Sequence, residues 1–214
     1  FFFPQYTFPA IPYFFSTGTL LNFSEMSKRS RSDHASNDQH VIMGPWVHRA
    51  CTFTNAGDLD FGIDSLLDLQ DTELRWMDWW LKGKGRSPLQ KSPVKIFVMG
   101  INQWRYEREW PLNRTSYTSF YIHSSGMANS LHGDGLLSTE LPSDEPFDSY
   151  SYDPSFPTPT KGGSTCCNPE IIPYGAYDQS SIEQRHDVLV YTSDPLDENL
   201  EVTGPIVVFL YSVC

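Results

Sequence analysis

Four absences narrow the reading of this chain before any motif is considered. Only four of its 214 residues are cysteine, at positions 51, 166, 167 and 214. That excludes a Cys-x-x-Cys metal pair and the disulfide framework of a small secreted domain. The adjacent Cys166 and Cys167 cannot readily close on each other and read as free loop thiols. Positive charge is also scarce, with 15 lysines and arginines against 26 acidic residues and a net charge of −11. Without a basic stripe there is nothing to displace counterions from a polyanion, so nucleic acid is excluded as a partner. The densest cations, Lys28-Arg29-Ser30-Arg31, sit in polar surroundings and read as a solvated loop. No apolar run is long enough to span a bilayer. The aromatic start, Phe1 to Phe15, is broken by Pro4, Pro9 and Pro12 and lacks the basic flank and cleavage site of a signal peptide. The expectation is a soluble chain, cytoplasmic or secreted, with no membrane partner. It opens without methionine, which reads as processing or as a start inside something larger. Finally, there is no Gly-x-Ser-x-Gly, so no nucleophile elbow is encoded here.

What is present is a short apolar stretch, Val41-Ile42-Met43, closed by Gly44-Pro45-Trp46-Val47-His48. A histidine just past the end of a buried strand, on a backbone stiffened by proline, is placed as the general base of a serine hydrolase must be. The chain offers one member of a triad without the other two.

Along the chain, residues 24 to 40 are polar and aperiodic and predict a loop into the strand at Val41 to Met43. From Ile63 to Leu81, the residues Ile63, Leu66, Leu67, Leu74, Met77, Trp80 and Leu81 fall mainly at helical spacing, and Gly83 stops the pattern. Beyond Gly83 the texture becomes short alternating runs: Val94 to Met99, Ser119 to Ile122, Val188 to Tyr191 and Ile206 to Tyr211. Residues 141 to 184, rich in Pro, Gly, Ser and Asp, predict a long excursion with little regular structure. An all-β second part is expected, with fewer strands than a complete sandwich needs.

Several stretches occur together and in order. After Gly44 to His48 come Asp60-Phe61-Gly62, Trp79-Trp80-Leu81-Lys82-Gly83, Ile96 to Gly100 with Trp104-Arg105, and Glu109-Trp110-Pro111-Leu112. Then follow Tyr152-Asp153-Pro154, Asp178-Gln179, Asp187 to Ser193, and Glu201-Val202-Thr203-Gly204-Pro205. Over roughly residues 18 to 212 this set resembles the Xaa-Pro dipeptidyl-peptidase and cocaine-esterase-like serine hydrolases, which include the α-amino-acid ester hydrolases. The resemblance implies an α/β plus all-β fold. Residues 1–83 would be the C-terminal part of an α/β-hydrolase domain, and 88–214 the N-terminal part of a jelly-roll β-sandwich of galactose-binding-like type. It implies that His48 is the catalytic base, that no organic cofactor or metal is needed, and that the intact enzyme acts on a small acyl ester or a peptide. The family's aspartate would fall near Pro12-Tyr13-Phe14-Phe15, which holds no carboxylate, and its serine and oxyanion-hole tyrosine belong upstream of Phe1. The polypeptide alone is therefore expected to be inactive. The alternative is a non-catalytic β-sandwich module for binding or assembly, from a degenerate hydrolase.

Other residues carry plainer readings. His34, His40, His123, His132 and His186 lack any comparable context and read as surface or loop positions. Asp60-Phe61-Gly62 has none of the motifs that accompany a kinase magnesium site and reads as a loop entering the helix. Asp58, Asp60 and Asp64 lack the spacing of a calcium loop. Trp76, Trp79 and Trp80 read as packing surface, while Trp46, Trp104 and Trp110 are candidates to line one cleft.

Overall fold

The computed structural model describes residues 6–7, 16–47, 51–86, 92–165 and 168–213. The Pro12 to Phe15 stretch, His48, Cys166, Cys167 and Cys214 lie outside the described residues. The central element is a four-stranded mixed sheet in the order β1 (Tyr6–Thr7), β2 (His40–Met43), β5 (Val94–Val98), β6 (Gln103–Glu107). β1 and β2 are parallel, as are β2 and β5, whereas β5 and β6 form an antiparallel hairpin. β2 is buried along its whole length, as a strand with neighbours on both edges and layers on both faces must be.

Strand alternation divides the core in two. Val41 and Met43 of β2 join Val94 and Ile96 of β5 and Phe23 on one face. Ile42 points to the other face, with Trp46 and Cys51. Val41 and Val94 are fully enclosed and lie opposite each other in register.

The first face is covered by helix α1 (Ser16–Arg29), followed by the short α2 (Asp33–Asn37). This overturns the loop expected over 24 to 40. The serines that made the stretch look like a loop are satisfied within the helix. Ser27 and Ser30 donate to the carbonyls of Phe23 and Met26, at 2.8 and 2.6 Å, and Glu25 pairs with Arg29. Leu20 and Phe23 supply the apolar contact, and Ser24 Oγ donates to the Trp110 carbonyl at 3.0 Å.

The helix expected from Ile63 to Leu81 begins later. Ile63–Ser65 is a single 3-10 turn, Leu66 is extended, and α3 runs Leu69–Lys82. Two local facts set this boundary. The Asp68 carboxylate caps the helix by accepting from Asp71 N at 2.9 Å, and Leu67 N is already committed to the Cys51 carbonyl at 2.9 Å. At the other end Gly83 takes a left-handed conformation (φ 64°), as a C-terminal stop requires. Trp76 is buried, with its ring near His40 and Trp80, and Trp80 stacks near His34. Between β2 and α3 the short antiparallel pair β3 (Asn55–Ala56) and β4 (Leu59–Asp60) delivers Phe61 into the core.

After residue 118 regular structure thins out. β7 (Tyr121–His123) and β8 (Leu136–Ser138) form an antiparallel pair. Among its described residues the 141–184 excursion holds a single four-residue helix, α4 (Ser180–Glu183). Val188 to Tyr191 does not form the expected strand: Leu189 makes one isolated bridge, to Asn129, supported by hydrogen bonds at Val188 and Val190. Ile206 to Tyr211 joins no strand among the described residues, and each of its side chains is exposed. Alternation predicts a strand only where a neighbouring ladder exists to receive it.

Candidate functional site

The site is built on the C-terminal end of β2. Gly44 leaves the strand with no room for a side chain, because a Cβ there would stand 2.5 Å from the Trp46 indole. That indole folds back over the glycine and is itself buried. Its Nε1–H donates to the Ser65 carbonyl at 2.8 Å. Ser65 is wholly enclosed, and its hydroxyl donates to the Gly62 carbonyl at 2.7 Å. A second tryptophan, Trp104 on β6, donates to the adjacent carbonyl of Asp64 at 2.7 Å. The two rings lie 5.6 Å apart, so one aromatic pair holds the 3-10 turn by two successive carbonyls. Lys95 Nζ sits 4.3 Å from the Trp104 ring centre, where the ring face attracts a cation.

Val47, immediately before His48, packs with Ala56, Phe61 and Phe97. Cys51, just beyond, packs with Ile42 and Trp46, and burial pushes its thiol pKa up, so it is a packing residue rather than a reactive thiolate. The backbone is thus anchored on both sides of residues 48 to 50, which themselves lie outside the described residues. The structure brings Trp46 and Trp104 together but separates Trp110, which packs on the opposite face of the sheet with Phe23 and its partners. A single cleft lined by all three tryptophans is therefore not formed.

The remaining motif residues fasten loops. Arg105 makes a bidentate pair with Glu201 (2.8 and 2.7 Å), whose carboxyl the guanidinium and then the Thr203 hydroxyl hold down to about 2. Glu107 is buried and takes both Arg114 and Arg105. Asp187 receives Arg185 (2.7 and 2.6 Å), which lowers its pKa to about 2, with Thr158 adding a further donor. Gln179 donates to the carbonyls of Lys161 and Tyr177. Asp178 N donates to Asp58, beside the contact of Gly57 with Gly175 and Ala176, where either glycine's Cβ would strike backbone within 2.4 Å. The contacts of 57 and 58 with 175 to 178 bind the excursion to the β3–β4 turn.

Two of the five histidines read as surface positions are corrected. His40 is buried in β2, and burial, then the Lys95 charge, lower its pKa to about 4. His123 ends β7 in a hydrogen-bonded array: Nδ1 is 2.8 Å from Glu145 Oε1, while Nε2 is 3.2 Å from Ser138 Oγ and 3.1 Å from the Glu140 carbonyl. The distances imitate a serine–histidine–carboxylate triad. The surroundings oppose that role, because the Glu140 carbonyl requires a proton on Nε2 and Ser138 Oγ already accepts from Glu140 N at 3.1 Å. The signal in the sequence was weak. Ser138 pairs with Tyr121, so His123 reaches it only as a diagonal neighbour across a hairpin of three-residue strands.

Nearby, Asp148 accepts from Tyr191 Oη (2.6 Å), Ser124 Oγ (2.7 Å) and Ala128 N (2.9 Å). Burial alone would raise the Asp148 pKa, but the three donors outweigh it and the net shift is downward. Tyr191, partly buried against that carboxylate, is pushed well above the ordinary phenol range. Among the described residues no group of three metal-ligating side chains converges, and no helix is long and apolar enough to cross a membrane.

Comparison with known proteins places this architecture. Residues 89–214 match the model of the X-Pro dipeptidyl-peptidase C-terminal non-catalytic domain, and the chain belongs to this family. It is 38% identical over 172 residues to the cocaine esterase of Rhodococcus sp. (strain MB1 Bresler), an alignment covering 79% of this chain and 29% of that protein. Among solved structures it is similar to an aminopeptidase from the marine sediment archaeon Thaumarchaeota archaeon, with a TM-score of 0.50 and 25% identity over 74% of this chain and 25% of that one. The chain thus spans less than a third of the length of these relatives, which are hydrolases of ester and peptide bonds by name.

Proposed function

We propose that this chain supplies the triad histidine, His48, and part of the jelly-roll domain of a serine hydrolase acting on an acyl ester or a peptide. In this reading residues 1–83 belong to the α/β-hydrolase domain and 88–214 to the jelly roll. The observation that carries it is the end of β2. A buried parallel strand, preceded by a crossover helix, exits through Gly44 and the locked Trp46 directly into His48. General-base chemistry needs that rigidity, because a displacement of about 1 Å can cost a hundredfold in rate. In the assembled enzyme His48 would take the serine proton during acylation, return it to the leaving group, and then activate water for deacylation. No metal or organic cofactor, nucleic acid or membrane enters this chemistry.

Without the serine and its orienting carboxylate, the polypeptide on its own is expected to show no turnover of an activated ester. Turnover that disappears in His48→Ala would sink that expectation. In an enzyme that joins this sequence to an upstream serine and aspartate, His48→Ala should lower kcat/KM about a millionfold with the melting temperature unchanged. Undiminished kcat/KM in that variant would favour a second reading, a module for binding or assembly, which draws support from the non-catalytic description of the family matched by residues 89–214.

A further inference from the structure

We propose that His123 is a proton-operated clasp, which as an imidazolium ties the β7–β8 hairpin to the root of the 141–184 excursion by two bonds and as a neutral ring keeps only one of them. The argument starts from donor counting. A neutral imidazole has one N–H and one lone pair, whereas the imidazolium has two N–H donors. Nδ1 faces the Glu145 carboxylate at 2.8 Å, and Nε2 faces the Glu140 carbonyl at 3.1 Å. With the neutral proton on Nδ1, the Nε2 lone pair opposes the carbonyl oxygen. Rotation of the Ser138 hydroxyl toward Nε2, 3.2 Å away, relieves only part of that cost. With the neutral proton on Nε2, the other lone pair opposes a carboxylate. Only the cation donates to both.

The clasp links three segments: His123 from β7, Ser138 and Glu140 from the end of β8 and the turn after it, and Glu145 from the start of the excursion. The charges acting on the ring are Glu145 and Glu140, both acidic. Beyond them the adjoining residues are also tied to carboxylates, Ser124 to Asp148 and Ser125 N to Asp134. The His123 side chain is only 14% exposed, so water competes weakly for these bonds. Geometry and field agree in direction. The Glu145 hydrogen bond, opposed by burial and aided by both carboxylates, raises the His123 pKa, and the same bond lowers that of Glu145.

The sign follows. A histidine whose folded pKa lies above the ordinary value of about 6.5 adds stability that is complete below that value and lost as pH rises through the folded pKa. The proton leaves to water, one of the two ring bonds is lost, and the hold of residues 139–148 on the hairpin is loosened but not abolished, because Asp148 keeps Ser124 and Ala128.

The test uses the whole chain. Nitrogen–proton correlation spectra of the histidine rings, recorded across a pH series, should show both His123 nitrogens protonated at about pH 6.5. Hydrogen exchange of the amides in 139–148, corrected for intrinsic rates, should speed up severalfold as pH rises through the His123 midpoint. Glu145→Gln should lower that midpoint and shift the exchange step with it, while the β2 and β5 amides stay protected and so report an intact fold. His123→Gln should abolish the step. A His123 midpoint at or below about 6.5 would overturn the clasp. So would pH-independent exchange in 139–148, or a midpoint unmoved in Glu145→Gln.

Discussion

The region from 16 to 112 and the region from 119 to 213 belong to one chain but are held together by different physics. In the first, strands β2, β5 and β6 of the central sheet all contribute to apolar clusters, and Val41 and Val94 are fully enclosed. In the second, Ala128 is the only buried hydrophobic side chain among the described residues. Its order comes instead from carboxylates with several donors each: Asp148, Asp187 and Glu145. Apolar burial is insensitive to pH and cumulative. Carboxylate-centred bonding is directional, and its strength follows protonation. The first region is therefore held at any pH that leaves its packing intact, and the second is held by bonds that protonation can weaken.

The comparison is most exposed to Trp46→Ala. It removes a buried ring that packs on Gly44 and Trp104 and caps the Ser65 carbonyl, and it should cost about 3–5 kcal/mol in denaturant unfolding. A cost below about 1 kcal/mol, as for a surface change, would deny the sheet region its apolar core.

Acid is the next largest lever. His40 has its pKa lowered from 6.5 to about 4, so the unfolded chain binds the proton first. Stability is complete above about 6.5 and falls as pH drops toward 4, by on the order of 3 kcal/mol. The measurement is the unfolding midpoint against pH, and a flat profile for the sheet region over that interval would remove the effect. His40 and His123 should thus respond to pH with opposite signs, the sheet weakening on acidification and the His123 clasp on alkalisation.

In the second region, Asp148→Asn breaks a hub of three donors and should cost about 1–3 kcal/mol, detected as faster exchange at Ala128 and in 187–192. The normal form of Asp148 titrates below the ordinary carboxylate range, so its contribution is present above the unfolded value and fades as pH falls through the folded one. Smallest of the set, Tyr191→Phe removes one of those donors and should cost about 1 kcal/mol. If it equalled Trp46→Ala, the contrast between the regions would collapse.

The sequence was most legible where local chemistry decides structure. Val41 to Met43 and Val94 to Val98 are strands because β-branched and apolar residues there face a core on one or both sides. The end of the long helix was visible in Gly83, and the disorder of pattern in 141–184 announced a loop. Legibility failed where partners are distant. Ser24, Ser27 and Ser30 looked like a loop until the helix supplied carbonyls for Ser27 and Ser30, and Trp110 supplied one for Ser24. Asp68, not the hydrophobic period, decided where α3 begins. Ile206 to Tyr211 is a β-branched and aromatic run like a buried strand yet meets no ladder among the described residues. In the site, Gly44-Pro45-Trp46 could be read directly, whereas the joint hold of Trp46 and Trp104 on residues 64 and 65 could not.

By itself the sequence determined the lineage of this protein, the strand that leads to His48, and the absence of a nucleophile elbow, because each is a matter of residue type at fixed spacing along one backbone. Only the tertiary structure decided that Trp110 leaves the aromatic pair, that His40 is held neutral, and that His123 gathers two acceptors from different loops. Burial and electrostatic field at a residue are sums over neighbours that sequence distance does not encode.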